Sequence, residues 1–152
     1  MKTYKYKGAE AMVELHANEM RAFLEVWQKA HAANFSVPAS EDPDYQSLEH
    51  ILCHVLGASK GYIIWICEQL ELEASTIGAR PTPQSVVTEA EAYLSQVLQA
   101  WDGPLVDLTE KQAHAKEYPS KWKTKYCIDA MLEHAVMHPL RHRFQIENWL
   151  RP

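Results

Sequence analysis

An all-α four-helix bundle is the fold class this sequence predicts, and three observations predict it. Four long stretches repeat apolar residues at steps of three and four, the period of a helix that buries one face. Between them lie segments rich in proline, glycine, aspartate and serine, which interrupt helices. Nowhere does a convincing alternation of apolar and polar residues mark a strand. At 152 residues, 47% apolar and 23% charged, the chain has the size and composition of one globular domain, 1–152, with a proper core.

The first helix is expected from Gly8 to about Ala33. Met12, Leu15, Met20, Phe23, Leu24 and Trp27 recur at helical steps, and Glu10, Glu14, Glu19, Arg21, Glu25 and Lys29 fill the other faces. His16 and His31 read as surface or groove-edge residues. Asn34 to Gln46 is a loop of turn and cap residues, among them Pro38, Ser40, Asp42, Pro43 and Asp44. Ser47 or Asp44 can cap the second helix, with Glu49 in its first turn, where the helix dipole favours an acid.

That helix runs from about Ser47 to Leu72. Leu48, Ile51, Leu52, Val55, Ser59, Tyr62, Ile63, Ile66 and Leu70 form its apolar stripe, and His54 lies off the stripe's centre, near Ala58 and Trp65. Tyr62 and Trp65, like Trp149 near the C-terminus, read as core rather than substrate contacts. Glu73 to Val87 is longer than a helix hairpin needs and suits a crossover at one end of a bundle. The third helix is expected from about Ser85 to Trp101, with Thr88 and Glu91 as its capping box and Asp102-Gly103-Pro104 as its stop. Thr109 to Tyr126 is polar and basic, with Lys111, Lys116, Lys121, Lys123 and Lys125 interleaved with Tyr118 and Trp122. It reads as a solvated loop or, more sharply, as a cationic lip that attracts an anionic substrate. The last helix spans about Ile128 to Leu150.

Composition excludes several functions. The net charge of −5 leaves no basic footprint for nucleic acid. The greasiest run, Tyr62 to Cys67, is too short to span a bilayer, so no membrane partner is expected. The basic start, Met1 to Lys7, leads into charged residues rather than a signal peptide. Cys53, Cys67 and Cys127 are odd in number, widely spaced and without a C-x-x-C pair, which suits reduced thiols and a cytoplasmic protein.

The chemistry concentrates in the last helix. His134, His138 and His142 recur every fourth residue, and each step turns only about 40° around a helix, so neighbours share a face. Two imidazoles at that spacing can grip one metal ion, and a third can come from the upstream pair His50 and His54. Rival metal motifs are missing. None of the eight histidines follows a glutamate by three residues, as a di-iron carboxylate bundle requires, and Ala135 and Pro139 stand where a zincin has its glutamate. An all-nitrogen site remains, and imidazole suits zinc, nickel, iron or copper. Three protein ligands leave a coordination position for water or substrate, the catalytic rather than the structural pattern.

His138-x-x-x-His142-Arg143-x-Gln145 resembles the His-x-x-x-His-Arg-Gly-Gln signature of the DinB-like metalloenzyme superfamily, and Leu52-Cys53-His54-Val55 resembles that family's upstream histidine. The likeness covers essentially the whole chain. It implies a bundle of up-down-down-up topology, often a homodimer, with a divalent metal (zinc, nickel, iron or manganese) on His54, His138 and His142. Characterised relatives use the metal to activate a low-molecular-weight thiol. Phe144 departs from the signature by replacing its glycine. Pro139 costs a helical hydrogen bond and predicts a kink at His134–His138 that moves His138 into or out of the site. His134 and His50 are reserve ligands. Gln145 can orient an imidazole through its second N–H; Glu147 could as well but reads as a surface residue.

The expected function is therefore a metal-dependent enzyme, a thiol S-transferase acting on a small electrophile. The alternatives are a non-enzymatic stress-related or interaction protein of the same fold, and a hydrolase using metal-bound water.

Overall fold

The computed structural model describes residues 3–151. Met1 and Lys2 of the basic start lie outside the described residues. Four long helices carry the fold: α1 (Lys7–Ala32), α2 (Leu48–Gln69), α3 (Val86–Trp101) and α5 (Ile128–Trp149), with a short α4 (Glu110–His114) before the last. The sequence places the long four to within about three residues at each end, because their boundaries are set by local chemistry. Ser47 Oγ accepts the His50 N–H and caps α2. Asn34 and Glu71 take positive φ, 50° and 55°, just past α1 and α2. There the Phe35 N–H reaches back to the Ala30 carbonyl and the Leu72 N–H to the Cys67 carbonyl, satisfying carbonyls a helix end leaves open.

Two local expectations are corrected. Thr88 and Glu91 form no capping box: α3 begins at Val86, the Thr88 hydroxyl donates to the Ser85 carbonyl, and Glu91 accepts from Gln28 of α1. A capping box does form at Thr109 and Gln112, ahead of α4. The segment 109–126 is also more than a loop. After α4 it makes a hairpin in which β1 (Tyr118–Pro119) pairs antiparallel with β2 (Lys125–Tyr126). Its turn is closed by Ser120, whose N–H and hydroxyl both donate to the Thr124 carbonyl.

α1 packs chiefly on α5, and α2 on both α3 and α5. The core between them is built from Met20, Phe23, Ile51, Leu52, Leu56, Ile63, Ile66, Trp101, Met131 and Leu132, all essentially inaccessible. Each such side chain contributes roughly 1.5–3 kcal/mol of burial free energy. α2 is the most apolar helix. It has 22 residues and an 18-residue window of mean hydropathy 1.2, and so reaches the length and composition of a membrane span that the short run 62–67 does not. In the bundle 61% of that window is buried, as befits a central helix. The linker 70–85 is pinned along its course. Lys60 donates to the carbonyls of Ile77 and Gly78, the Gly78 N–H to Gln96, and the Cys53 thiol to the Pro81 carbonyl.

His16 is not at a surface or groove edge. It is fully buried, with Nε2 3.0 Å from the Ser59 hydroxyl and its ring stacked on Trp101 at 4.1 Å. The reason lies in the register: His16 falls four residues from both Met12 and Met20, on the stripe that faces the core. Leu15, one step round the helix, is 46% exposed instead.

Candidate metal centre

Three imidazoles converge between α2 and α5. The flank of α2 that carries His54 faces the last helix, and His138 and His142 meet it from consecutive turns of α5. The ring centroids lie 4.9 Å apart for His54 and His138, 4.7 Å for His138 and His142, and 5.2 Å for His54 and His142. One nitrogen from each lies within 4.8 Å of the other two. His54 Nε2 and His138 Nε2 are 3.0 Å apart. α5 runs unbroken through the buried Pro139, and His138 stands in the group.

The far sides of two rings are held from outside. His54 Nδ1 lies 2.9 Å from Asp44 Oδ2, and His142 Nδ1 lies 3.2 Å from Gln145 Oε1. A carboxylate or an amide oxygen can only accept, so both Nδ1 atoms carry the proton and donate. That leaves His54 and His142 with Nε2 lone pairs, fixing the tautomer a metal needs. Asp44 is positioned by the 3-10 turn Pro43–Tyr45, where Asp42 accepts the Asp44 N–H. Tyr45, from the same turn, lays its ring 5.9 Å from His54 and 5.7 Å from His142.

The electrostatics keep His138 and His142 neutral. Burial, then the neighbouring histidines and Arg141, lowers the His138 pKa to about 2. Burial lowers His142 to about 4 against the raising effect of its bond to Gln145. Both rings are therefore uncharged at pH 7, and a cation would meet no proton competition from them. His138 Nδ1 is also buried without a partner, one of three such side-chain atoms among the described residues. The cluster has acceptor nitrogens in surplus and few donors, which is the condition a cation satisfies. A tetrahedral ion with nitrogen bonds of ~2.0–2.1 Å spaces its ligands about 3.3 Å apart, within small ring movements of the present positions. The three histidines could thus hold a divalent metal.

Other candidates are engaged elsewhere. His50 Nδ1 is 2.9 Å from the Ser47 hydroxyl and lies outside the group. His134 stands one turn before His138 in a nest of rings: Tyr62 at 5.3 Å, Trp122 at 5.4 Å and Tyr126 at 5.6 Å. Gln145 does orient an imidazole, whereas Glu147 pairs with Arg143. Arg143 also binds Glu19 of α1 at 3.1 Å, so the signature's arginine fastens α5 to α1. Phe144 is 54% exposed and takes no room from the centre. Cys53 adjoins His54 in sequence, but its thiol donates to Pro81 and burial pushes its pKa up.

Nothing in the sequence marks Asp44 and Tyr45 as parts of the centre, because both sit in a loop whose path only the fold determines. Arg141 differs, since its register carries a signal. It follows His138 by three residues and His134 by seven, the spacing of one helix face.

The model of the DinB family matches residues 7–152. No curated protein matches the chain, and no solved structure does.

Proposed function

This chain belongs to the DinB family, and on that premise we propose that it is a divalent-metal-dependent enzyme whose ion is held by His54, His138 and His142. The observation that carries the proposal is the outward anchoring of His54 by Asp44 and of His142 by Gln145, which turns their Nε2 lone pairs inward. A structural histidine has no need of two such anchors around a shared centre. The reaction we infer is thiol S-transfer to a small electrophile.

A bound divalent ion would supply the positive charge that lowers the pKa of a thiol brought beside it. The chain supplies the rest. Asp44 and Gln145 hold two imidazoles in one tautomer. Burial keeps His138 and His142 neutral. Tyr45 and Tyr62 lay rings against the cluster. None of the chain's own thiols belongs to the histidine group. Cys53 and Cys67 are buried with raised pKa, and Cys127 accepts the Ala130 N–H at the start of α5. A low-molecular-weight thiol from solution therefore fits the role of nucleophile.

The test is metal analysis by mass spectrometry on protein purified without a nickel column, followed by transfer assays with several thiols. About one divalent ion per chain, with thiol transfer that vanishes on chelation and returns on reloading, is the expected outcome. Absence of metal after incubation with zinc, nickel, manganese and iron would sink the reading.

A further inference from the structure

Beside the histidine centre lies a second feature that metal binding does not use. A cavity of about 140 Å³ opens between α2 and the hairpin 118–126. Its floor is Gly61, where an added Cβ would meet nothing within 4 Å. Tyr62, Trp65 and Met131 form its sides, and Lys121 and Trp122 of the hairpin turn close over it. The volume is close to that of an apolar cavity known to hold a benzene ring, roughly 150 Å³.

The slot joins the centre through shared rings. Tyr62 lines the slot and also packs edge-on against His138 at 5.7 Å. Trp122 lies 6.1 Å from Tyr62 and 5.4 Å from His134, yet its side chain is 54% exposed. An indole left half in water at the mouth of an apolar slot has a face to offer a ligand. The hairpin holds it there: Lys123 takes a φ of 63°, and the Ser120 hydroxyl accepts the Trp122 N–H.

The charge at this end runs against that of the whole protein. Lys121, Lys123, Lys125 and Arg141 form no ion pair with any described residue, in a chain of net charge −5. Arg141 shares the helix face of His134 and His138, so its guanidinium stands along the same row as the centre. Lys121 is the one of these that lines the slot, and an unpaired cation at the mouth of a ring-sized slot favours an anion.

We propose that this slot is the specificity subsite of the histidine centre, and that the substrate carries one planar ring and an anionic group. The ring lies over Gly61, walled by Tyr62, Trp65 and Trp122, and the anion faces Lys121 at the slot's mouth, on the side toward Arg141. The proposal rests on reading the three histidines as the reacting centre, but ring binding itself needs no metal.

Calorimetric titration of chelator-treated protein with benzoate, benzyl alcohol and acetate tests it. Benzoate is expected to bind in the millimolar range or tighter, at least tenfold better than acetate or benzyl alcohol. Gly61→Leu fills the slot from its floor at a position with open space. It should weaken benzoate at least tenfold, while helical content, melting temperature and metal content stay at wild-type values or above. Trp122→Ala should weaken it about fivefold, and Lys121→Ala should erase most of the preference over benzyl alcohol. Equal binding of benzoate and acetate, or full benzoate binding by a folded Gly61→Leu variant, overturns the proposal. No ring binding by a wild-type protein that takes up one metal per chain on reloading condemns the subsite alone. Ring binding by a protein that takes up no metal condemns the metal reading alone.

Discussion

Two buried histidine environments, a few turns apart in the bundle, make opposite use of the same side chain. His16 on α1 is fully enclosed, stacked on Trp101 and set 3.0 Å from one serine hydroxyl. His54, His138 and His142 turn toward one another, with two of their far nitrogens tied to Asp44 and Gln145. Burial lowers the pKa in both places, His16 to about 3 and His138 to about 2. A depressed pKa is therefore no mark of function here. What distinguishes the centre is convergence, together with outer partners that fix which nitrogen carries the proton.

The largest expected difference concerns metal. In the triple variant His54→Ala, His138→Ala and His142→Ala, bound metal should fall from about one ion per chain to background. His16→Leu should leave metal content unchanged. Mass spectrometry of both proteins, beside circular dichroism to show that the helices persist, makes the comparison. Metal lost from the His16 variant would break the distinction.

Acid stability comes next in size and runs the other way. The folded pKa of His16 is depressed to about 3 from 6.5. Between those values the unfolded chain binds a proton that the folded chain refuses, so folding stability rises with pH across this window. The contribution is fully present above pH 6.5 and is lost as the pH falls toward 3. For one such group the loss between pH 7 and pH 4.5 is on the order of 2–3 kcal/mol. Urea unfolding at both pH values should show a loss smaller by about that amount in His16→Leu than in wild type. Equal losses would mean that His16 reaches solvent.

These two regions also show what was legible in the sequence. The four long helices were, because their apolar period and their breakers are local signals. The histidine spacing of α5 was as well, since four residues make one helical face. His16 is polar by type, which suggests a surface, but its register between Met12 and Met20 puts it in the core. Asp44, like Ser47, suits a helix cap by type, and nothing in Pro43-Asp44-Tyr45 says where the loop folds back. The hairpin 118–126 was hidden by its brevity: two residues a side carry no alternation to detect. Pairing between distant elements such as α2 and α5 leaves little trace in one sequence beyond an apolar flank.

Asp44 offers a smaller and sharper test of convergence. Asp44→Asn keeps the size of the side chain but removes its charge and lets it offer an N–H where an acceptor is needed. Metal affinity should drop roughly 10–100-fold, the usual cost of losing a residue that orients a metal-bound histidine. Competition titrations with a chelating dye would measure it. Gln145→Ala should show a milder loss, since an amide oxygen orients without charge. Unchanged affinity in both would reduce the two contacts to packing.

The smallest effect is expected at Arg143, which the signature would lead one to place in the centre. Its guanidinium instead bonds Glu19 on α1 and Glu147 on its own helix, at 3.1 and 2.9 Å. All three side chains are partly exposed, between 20% and 35%, so screening keeps the pairs weak. Arg143→Ala should cost about 1 kcal/mol of stability, read as a lower urea midpoint with an unchanged slope. Metal affinity should move less than about threefold, because no histidine of the group takes a hydrogen bond from this residue. A large fall in affinity at unchanged stability would tie Arg143 to the centre. The helix that carries His16 and the helix that carries His138 and His142 would then act as one unit.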